Sequence, residues 1–212
     1  MDSKVSLKYE AAGELSETDL DKINQLIVSI WDYHSWVQEK NIKPMAEFML
    51  GEVIINSSCI FVVRDGEEIV GVIAASIIDN IRQKATAKIR KYTALKALIS
   101  DKRDEVFACY LDTLILNETL LLRSGKNFNA SLNLFIIDER YQGMGIGNKL
   151  YSFFSEYLIN KKIDEFFLYT DDSSNFQFYE RKGLNRIEEE KFLWRDSNQG
   201  SEIYYLYEGK VK

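Results

Sequence analysis

Apolar and polar residues alternate across Val5–Tyr9, a period of two that predicts a strand. A helical period follows. Ser16 with Asp19 makes an N-cap, and Leu20, Ile23, Ile27 and Ile30 recur on one face before Trp31, Tyr33 and Trp36 close the segment. A second, shorter helix is expected from Pro44 to Leu50. Cys59–Val63 and Ile69–Ala75 then read as the two arms of a hairpin, with Asp65-Gly66 marking its turn. From Asp79 to Arg123 the period is helical again, as one broken helix or two packed ones. Ala130–Ile137 returns to strand, and Asp138–Gly147 is a glycine-rich turn. Asn148–Ile159 is an amphipathic helix with Leu150, Phe153, Phe154, Tyr157 and Leu158 facing inward. Glu165–Thr170 reads as a strand and Asn175–Lys182 as a short helix stopped by Gly183. Arg186–Trp194 and Glu202–Tyr207 read as two strands paired antiparallel.

This order gives a mixed α/β chain with one clear parallel βαβ unit, Ala130–Thr170. A single proline, Pro44, and the lack of a Gly/Ser-rich linker or a repeat favour one domain over residues 1–212. Within it, residues 79–123 form a helical insertion between strands.

Composition narrows the chemistry. The 212 residues are 46% hydrophobic and 28% charged, enough for a substantial core. No apolar run approaches the roughly 18 residues of a bilayer span, and Met1-Asp2-Ser3-Lys4 opens no signal peptide, so neither a membrane nor a secretory role is expected. Cys59 and Cys109 form neither a disulfide framework nor a metal-ligand spacing, which predicts a reducing cytoplasm and no metal. The single histidine, His34, argues against histidine-based zinc sites and most Ser-His-Asp triads. A net charge of −6 does not suit a duplex nucleic-acid binder. The stretch Asp79–Glu105 is locally basic, with eight Lys/Arg against four Asp/Glu, and reads as a solvated helix face. The apolar Val106–Leu122 piece reads as buried against the sheet, with a homodimer surface as the other reading.

The informative stretch is Leu132–Leu150. Gly143, Gly145 and Gly147 stand at alternate positions between a buried strand and an amphipathic helix. Glycines there let a ligand approach the backbone, and the helix start offers unpaired N–H groups and a positive dipole end. That is an anion site suited to a phosphate or diphosphate. Gly147-Asn148-Lys149 lacks the Gly-Lys-Ser/Thr of a P-loop. The spacing is one residue short of a dinucleotide fingerprint, although Asp171-Asp172 follow the next strand.

Gln142-Gly143-Met144-Gly145-Ile146-Gly147 resembles the Q/R-x-x-G-x-G/A motif of the GNAT superfamily of N-acetyltransferases. A second stretch agrees with it in order: Asn175, then Phe178-Tyr179-Glu180 and Gly183-Leu184. The resemblance is loose over Val5–Ala75, close over Ala130–Tyr207, and absent over Asp79–Arg123. It implies a GNAT-like, mixed and mostly antiparallel central sheet flanked by helices, interrupted by the insertion. It also implies acetyl-CoA as cosubstrate. Its diphosphate would rest on main-chain N–H groups of Gln142, Gly143, Met144, Gly145, Ile146, Gly147 and Asn148. Phe135, Ile136 and Ile137 would pair with the pantetheine arm, and that strand and Glu165–Thr170 would splay to admit the thioester. Asn175 would touch the CoA arm, and Tyr179 would protonate the departing thiolate. The implied function is acetyl transfer to a primary amine on a small molecule or peptide, by direct attack.

One departure stands out. Family members that carry a glutamate base early in the glycine-turn strand have it near the place of Ser131 here, which cannot do that work. Asp112, Glu118 and Asp171 are candidates only by elimination, so the base is unassigned. The missing glutamate supports an alternative, a non-catalytic acyl-CoA-binding module acting as sensor or scaffold.

Overall fold

The computed structural model describes residues 6–99, 105–194 and 200–211. Val5 of the first predicted strand and residues 100–104 of the expected insertion lie outside the described residues. The fold is α/β: the described residues form seven strands, mostly antiparallel, flanked by helices. The chain divides into two compact units, Met1–Ile77 with Leu132–Ile163, and Ile78–Ser131 with Asp164–Lys212.

The first unit holds strands β1 (Leu7–Ala11), β2 (Cys59–Asp65), β3 (Glu68–Ile77) and β4 (Ala130–Ile137), the last from Leu132 onward, in that spatial order. β1 and β2 pair antiparallel, with Tyr9 opposite Val63. β2 and β3 pair through the predicted hairpin, whose turn is Gly66-Glu67. β3 is buried along both faces from Ile69 to Ser76. Helices α1 (Glu17–Ile30) and α3 (Glu39–Asn56) pack on each other and on β3, and α6 (Ile146–Asn160) also lies on β3. The N-cap of α1 is as the sequence predicts. The Asp19 amide donates to Ser16 Oγ at 3.2 Å, and the Ser16 amide donates back to Asp19 Oδ2 at 3.3 Å.

The Pro44 expectation is corrected. α3 begins five residues before Pro44 and ends six after Leu50, with the proline inside it. An interior proline costs about 3 kcal/mol through a lost hydrogen bond and a ring clash. Here Ile42, Met45, Ala46, Leu50 and Val53 are buried along one face, and that burial outweighs the local penalty. Trp31, Tyr33 and Trp36 form a separate cluster at the one-turn helix α2 (Tyr33–Trp36). The Tyr33 ring is buried, 5.0 Å from Trp36 and 6.4 Å from Trp31.

The second unit holds β5 (Glu165–Asp171), β6 (Asn185–Leu193) and β7 (Ser201–Lys210), with β7 between the other two and antiparallel to both. The stretch expected as an insertion holds two described helices, α4 (Ile81–Ile99) and α5 (Glu105–Arg123), packed together. α5 lies against β6 and β7, and its Ala108, Cys109, Leu111, Leu120 and Leu121 are buried, as the apolar reading of Val106–Leu122 requires. The core joins Ile81 and Ala85 of α4 with Leu120, Leu121, Phe128, Phe167, Tyr204 and Leu206. The basic face of α4 is not purely solvated. Lys88 pairs with the buried Glu118 at 2.8 Å and Lys96 pairs with Asp112, because α5 presents acids at helix-packing distance. Among the described residues no helix is long and apolar enough to cross a membrane, and no group of three His, Cys, Asp or Glu is placed to hold a metal.

Candidate active site

The glycine-rich turn opens as a 3₁₀ turn, Glu139–Tyr141, capped by Asp138, whose Oδ1 accepts from the Arg140 amide at 2.9 Å. The Tyr141 hydroxyl donates to Asp65 Oδ2 at 3.0 Å and so ties the turn to the β2–β3 hairpin. The Arg140 guanidinium beside Asp138 holds that carboxyl below its usual range. Gly143 and Gly145 both adopt the left-handed region, at φ of 78° and 80°. Gly145 is the N-cap of α6. It supplies no side-chain cap, and the first turn of α6 carries no acidic residue.

The first bond of α6 runs from the Lys149 amide to the Gly145 carbonyl at 3.1 Å. Among the described residues, no protein acceptor takes the amides of Gly143, Met144, Gly145, Ile146, Gly147 or Asn148. The Gln142 amide differs: it donates to the Glu139 carbonyl at 3.2 Å. Gln142 to Gly145 and Asn148 are exposed, while Ile146 is buried and anchors the helix start. A row of unpaired amides on a helix N-terminus, with no acidic residue in the first helical turn, fits a diphosphate in charge and in donor supply.

β4 delivers the chain to this turn. The Asp138 amide donates to the Val70 carbonyl at 2.9 Å, and the Ile136 carbonyl also faces β3, next to Gly71. Main-chain groups alternate sides along a strand. Those of Phe135 and Ile137 therefore point to the other edge of β4, and those of Ile136 point to β3.

In the second unit, Asn175 is exposed just before the one-turn helix α7 (Gln177–Arg181), and its carbonyl accepts from the Phe178 amide at 3.1 Å. Tyr179 is half-buried on α7. Its ring lies 5.7 Å from Phe178, edge to face, and 6.2 Å from Tyr207 of β7. The Tyr179 carbonyl accepts from the amides of Lys182 and Leu184, which closes the helix ahead of Gly183.

A model of the acetyltransferase (GNAT) family matches residues 23–184. The chain belongs to that family. As a GNAT acetyltransferase it is an acyltransferase, and its fold is shared with solved structures over 97% of the chain or more. Agmatine N-acetyltransferase is 14% identical, with 97% of this chain and 99% of that chain covered at a TM-score of 0.64. Aminoglycoside 6′-N-acetyltransferase, complexed with coenzyme A, is 11% identical, with 97% of each chain covered at 0.56. The PaiA N-acetyltransferase of Thermoplasma acidophilum, also in complex with coenzyme A, is 16% identical, with 97% and 99% covered at 0.53. No curated protein matches the sequence significantly.

The acids that sequence elimination leaves as bases in this GNAT chain are all engaged. Asp112 is paired with Lys96. Glu118 is buried, with Oε1 on Lys88 and Oε2 accepting from the Tyr169 hydroxyl at 3.4 Å. Asp171 Oδ1 accepts from the amides and hydroxyls of both Ser173 and Ser174. Sequence reasoning passes over Glu202. Its carboxyl is pushed up by burial and by the nearby Asp171, and it accepts from the Tyr204 hydroxyl at 3.2 Å. No motif marks it, because its surroundings come from paired strands. His34 is exposed, 3.4 Å from Glu39. Lys149 holds its ammonium over the Phe153 ring, 5.1 Å from the centroid.

Proposed function

We propose that this GNAT acetyltransferase moves an acetyl group from acetyl-CoA to a primary amine by direct attack. The observation that carries this reading is the acceptor-free row of amides from Gly143 to Asn148 at the start of α6. In it the turn cradles the CoA diphosphate. Phe135 and Ile137 offer main-chain groups to the pantetheine arm, with Ile136 between them turned toward β3, and Asn175 touches the arm. The neutral amine nitrogen bonds to the acetyl carbon as the C–S bond breaks, Tyr179 gives its proton to the departing thiolate, and the proton that the nitrogen sheds restores the tyrosine.

Magnitudes set what the enzyme must supply. An alkyl amine of pKa about 10.4 is neutral in about one molecule in 2,500 at pH 7, a cost of about 4.6 kcal/mol. A desolvating pocket or a base has to meet that. A positioned general acid contributes roughly 10²–10⁴ in rate. The acceptor is proposed to be cationic. The net charge of −6 favours encounter with such amines, and two structural neighbours are named for agmatine and for aminoglycosides. The chain is proposed to work in a reducing cytoplasm. Cys59 and Cys109 are both free thiols.

A thiol-release screen with acetyl-CoA across polyamines, aminoglycosides and lysine peptides tests this. We expect turnover with at least one class and a 10²-fold or greater loss in Tyr179→Phe. CoA binding without turnover on any amine would instead favour the non-catalytic acyl-CoA-binding reading, which the serine at position 131 and the engagement of Asp112, Glu118 and Asp171 support. No CoA binding at all would sink both.

A further inference from the structure

α7 carries Tyr179, and none of its five residues is fully buried; the Tyr179 ring is half-buried, 6.2 Å from the ring of Tyr207. Beside these ring contacts stands a polar bracket. Glu180 Oε1 accepts from the Tyr207 hydroxyl at 2.9 Å and from an Arg186 terminal nitrogen at 2.8 Å. Arg186 Nε donates in turn to that same hydroxyl at 3.0 Å, and its other terminal nitrogen meets Glu189 Oε2 at 3.1 Å. The Tyr207 hydroxyl therefore accepts from arginine and donates to glutamate, so its orientation is fixed from both sides. Its ring is fully buried in β7.

The guanidinium is held as firmly as the phenol. It lies 3.9 Å from the Tyr205 centroid, 5.4 Å from Phe176 and 5.5 Å from Tyr207. Phe176, the residue that leads into α7, packs its ring 5.4 Å from Tyr205. A surface ion pair alone adds little, because two long side chains must be ordered to make it. Here stacking has already ordered the arginine, and the buried phenol has no rotamer freedom to lose. A planar fork that stacks and donates in three directions is something lysine cannot reproduce.

We infer that Arg186, Glu180 and Tyr207 are positioning residues that clamp α7 onto β6 and β7 and thereby aim the Tyr179 hydroxyl. The inference rests on the proposed role of Tyr179 as proton donor. Displacement of a catalytic group by about 1 Å can cost about 10²-fold in rate. The bracket is thus expected to act on turnover more than on acetyl-CoA affinity.

The test uses the full chain with Arg186→Lys, Glu180→Ala, Glu180→Gln, Tyr179→Phe and the double variant Tyr179→Phe/Glu180→Ala. Two readouts are taken: thiol release from acetyl-CoA with the best amine of the screen, and hydrogen exchange of the amides of residues 178–184. Arg186→Lys and Glu180→Ala should lower kcat about 10- to 100-fold, with a smaller change in KM for acetyl-CoA. Glu180→Gln, which keeps an oxygen acceptor, should recover most of the rate. The double variant should be no slower than Tyr179→Phe alone, since a misaimed phenylalanine has nothing left to lose. Exchange over 178–184 should quicken in Glu180→Ala and Arg186→Lys. Unchanged exchange would overturn the clamp. So would quickened exchange with full turnover in Glu180→Ala where Tyr179→Phe is slow, or an additive double variant. If Tyr179→Phe itself keeps full turnover, the proton-donor reading fails and the aiming role fails with it, while exchange still decides whether the clamp exists.

Discussion

The ring of Phe166 fills the space where any residue but glycine at 209 would place its Cβ. A Cβ built on Gly209 would lie 2.3 Å from Phe166 Cζ and 2.5 Å from Cε1. The two residues face each other across β5 and β7, and Phe166 is fully buried. Gly209→Ala must push a buried ring out of a packed layer. We expect a loss of about 3 kcal/mol in urea denaturation, the upper end of overpacking. Phe166→Leu should be less harmful in the alanine background than in the wild type, because it returns the space. Equal stability of Gly209→Ala and wild type would contradict this packing.

Gly145 is demanded by its backbone rather than by its surroundings. Its φ is 80°, yet nothing lies within 4 Å of a Cβ built there. Alanine would cost about 1–2 kcal/mol in that conformation, and asparagine less, because it visits the left-handed region more readily. The expected result is a weaker CoA Kd by calorimetry in Gly145→Ala, partly restored in Gly145→Asn. Identical Kd values in all three proteins would show that the turn does not bind through its backbone.

Arg64 joins β2 to β1 and α1, with Nε on Glu10 at 2.7 Å and a terminal nitrogen on Asp19 at 2.8 Å. Its hydrogen bond holds the Asp19 carboxyl at about 2, against an ordinary 3.8. A folded pKa below the unfolded one adds stability above pH 3.8, and that stability fades as pH falls toward 2. Arg64→Met should therefore lose about 1 kcal/mol at pH 7, after allowance for solvent screening. The gap from wild type should close between about pH 4 and pH 2. A gap that stays constant with pH would mean the loss is one of packing.

Burial pushes the Cys59 thiol up to about 11, and Cys109 is buried on α5. At pH 8 about one Cys59 in a thousand is thiolate, too few for a nucleophile. The folded protein should resist a thiol reagent until denaturant is added, and Cys59→Ser should keep full turnover. A rapid native reaction of one thiol per chain would reopen a covalent route.

Residue order alone carried much of this molecule. Periodicity marked the strands at Cys59–Val63 and Ala130–Ile137, and residue type marked the N-cap at Ser16 and the glycine turn. Each of these is written within a few residues, where backbone sterics and local hydrogen bonds decide. Family membership was legible from Gln142–Gly147 and Asn175–Gly183 for the same reason. Local signals misplaced α3, because Pro44 reads as a start while the face from Ile42 to Val53 gains enough from burial to continue through it. They were silent on the bonding of Glu180 with Arg186 and Tyr207, on the raised carboxyl of Glu202, and on the spending of Lys88 and Lys96 between α4 and α5. Those depend on which strand lies beside which and in what register. Hydrogen bonds, stacking and desolvation act over a few ångströms, between residues that the chain separates and only folding brings together.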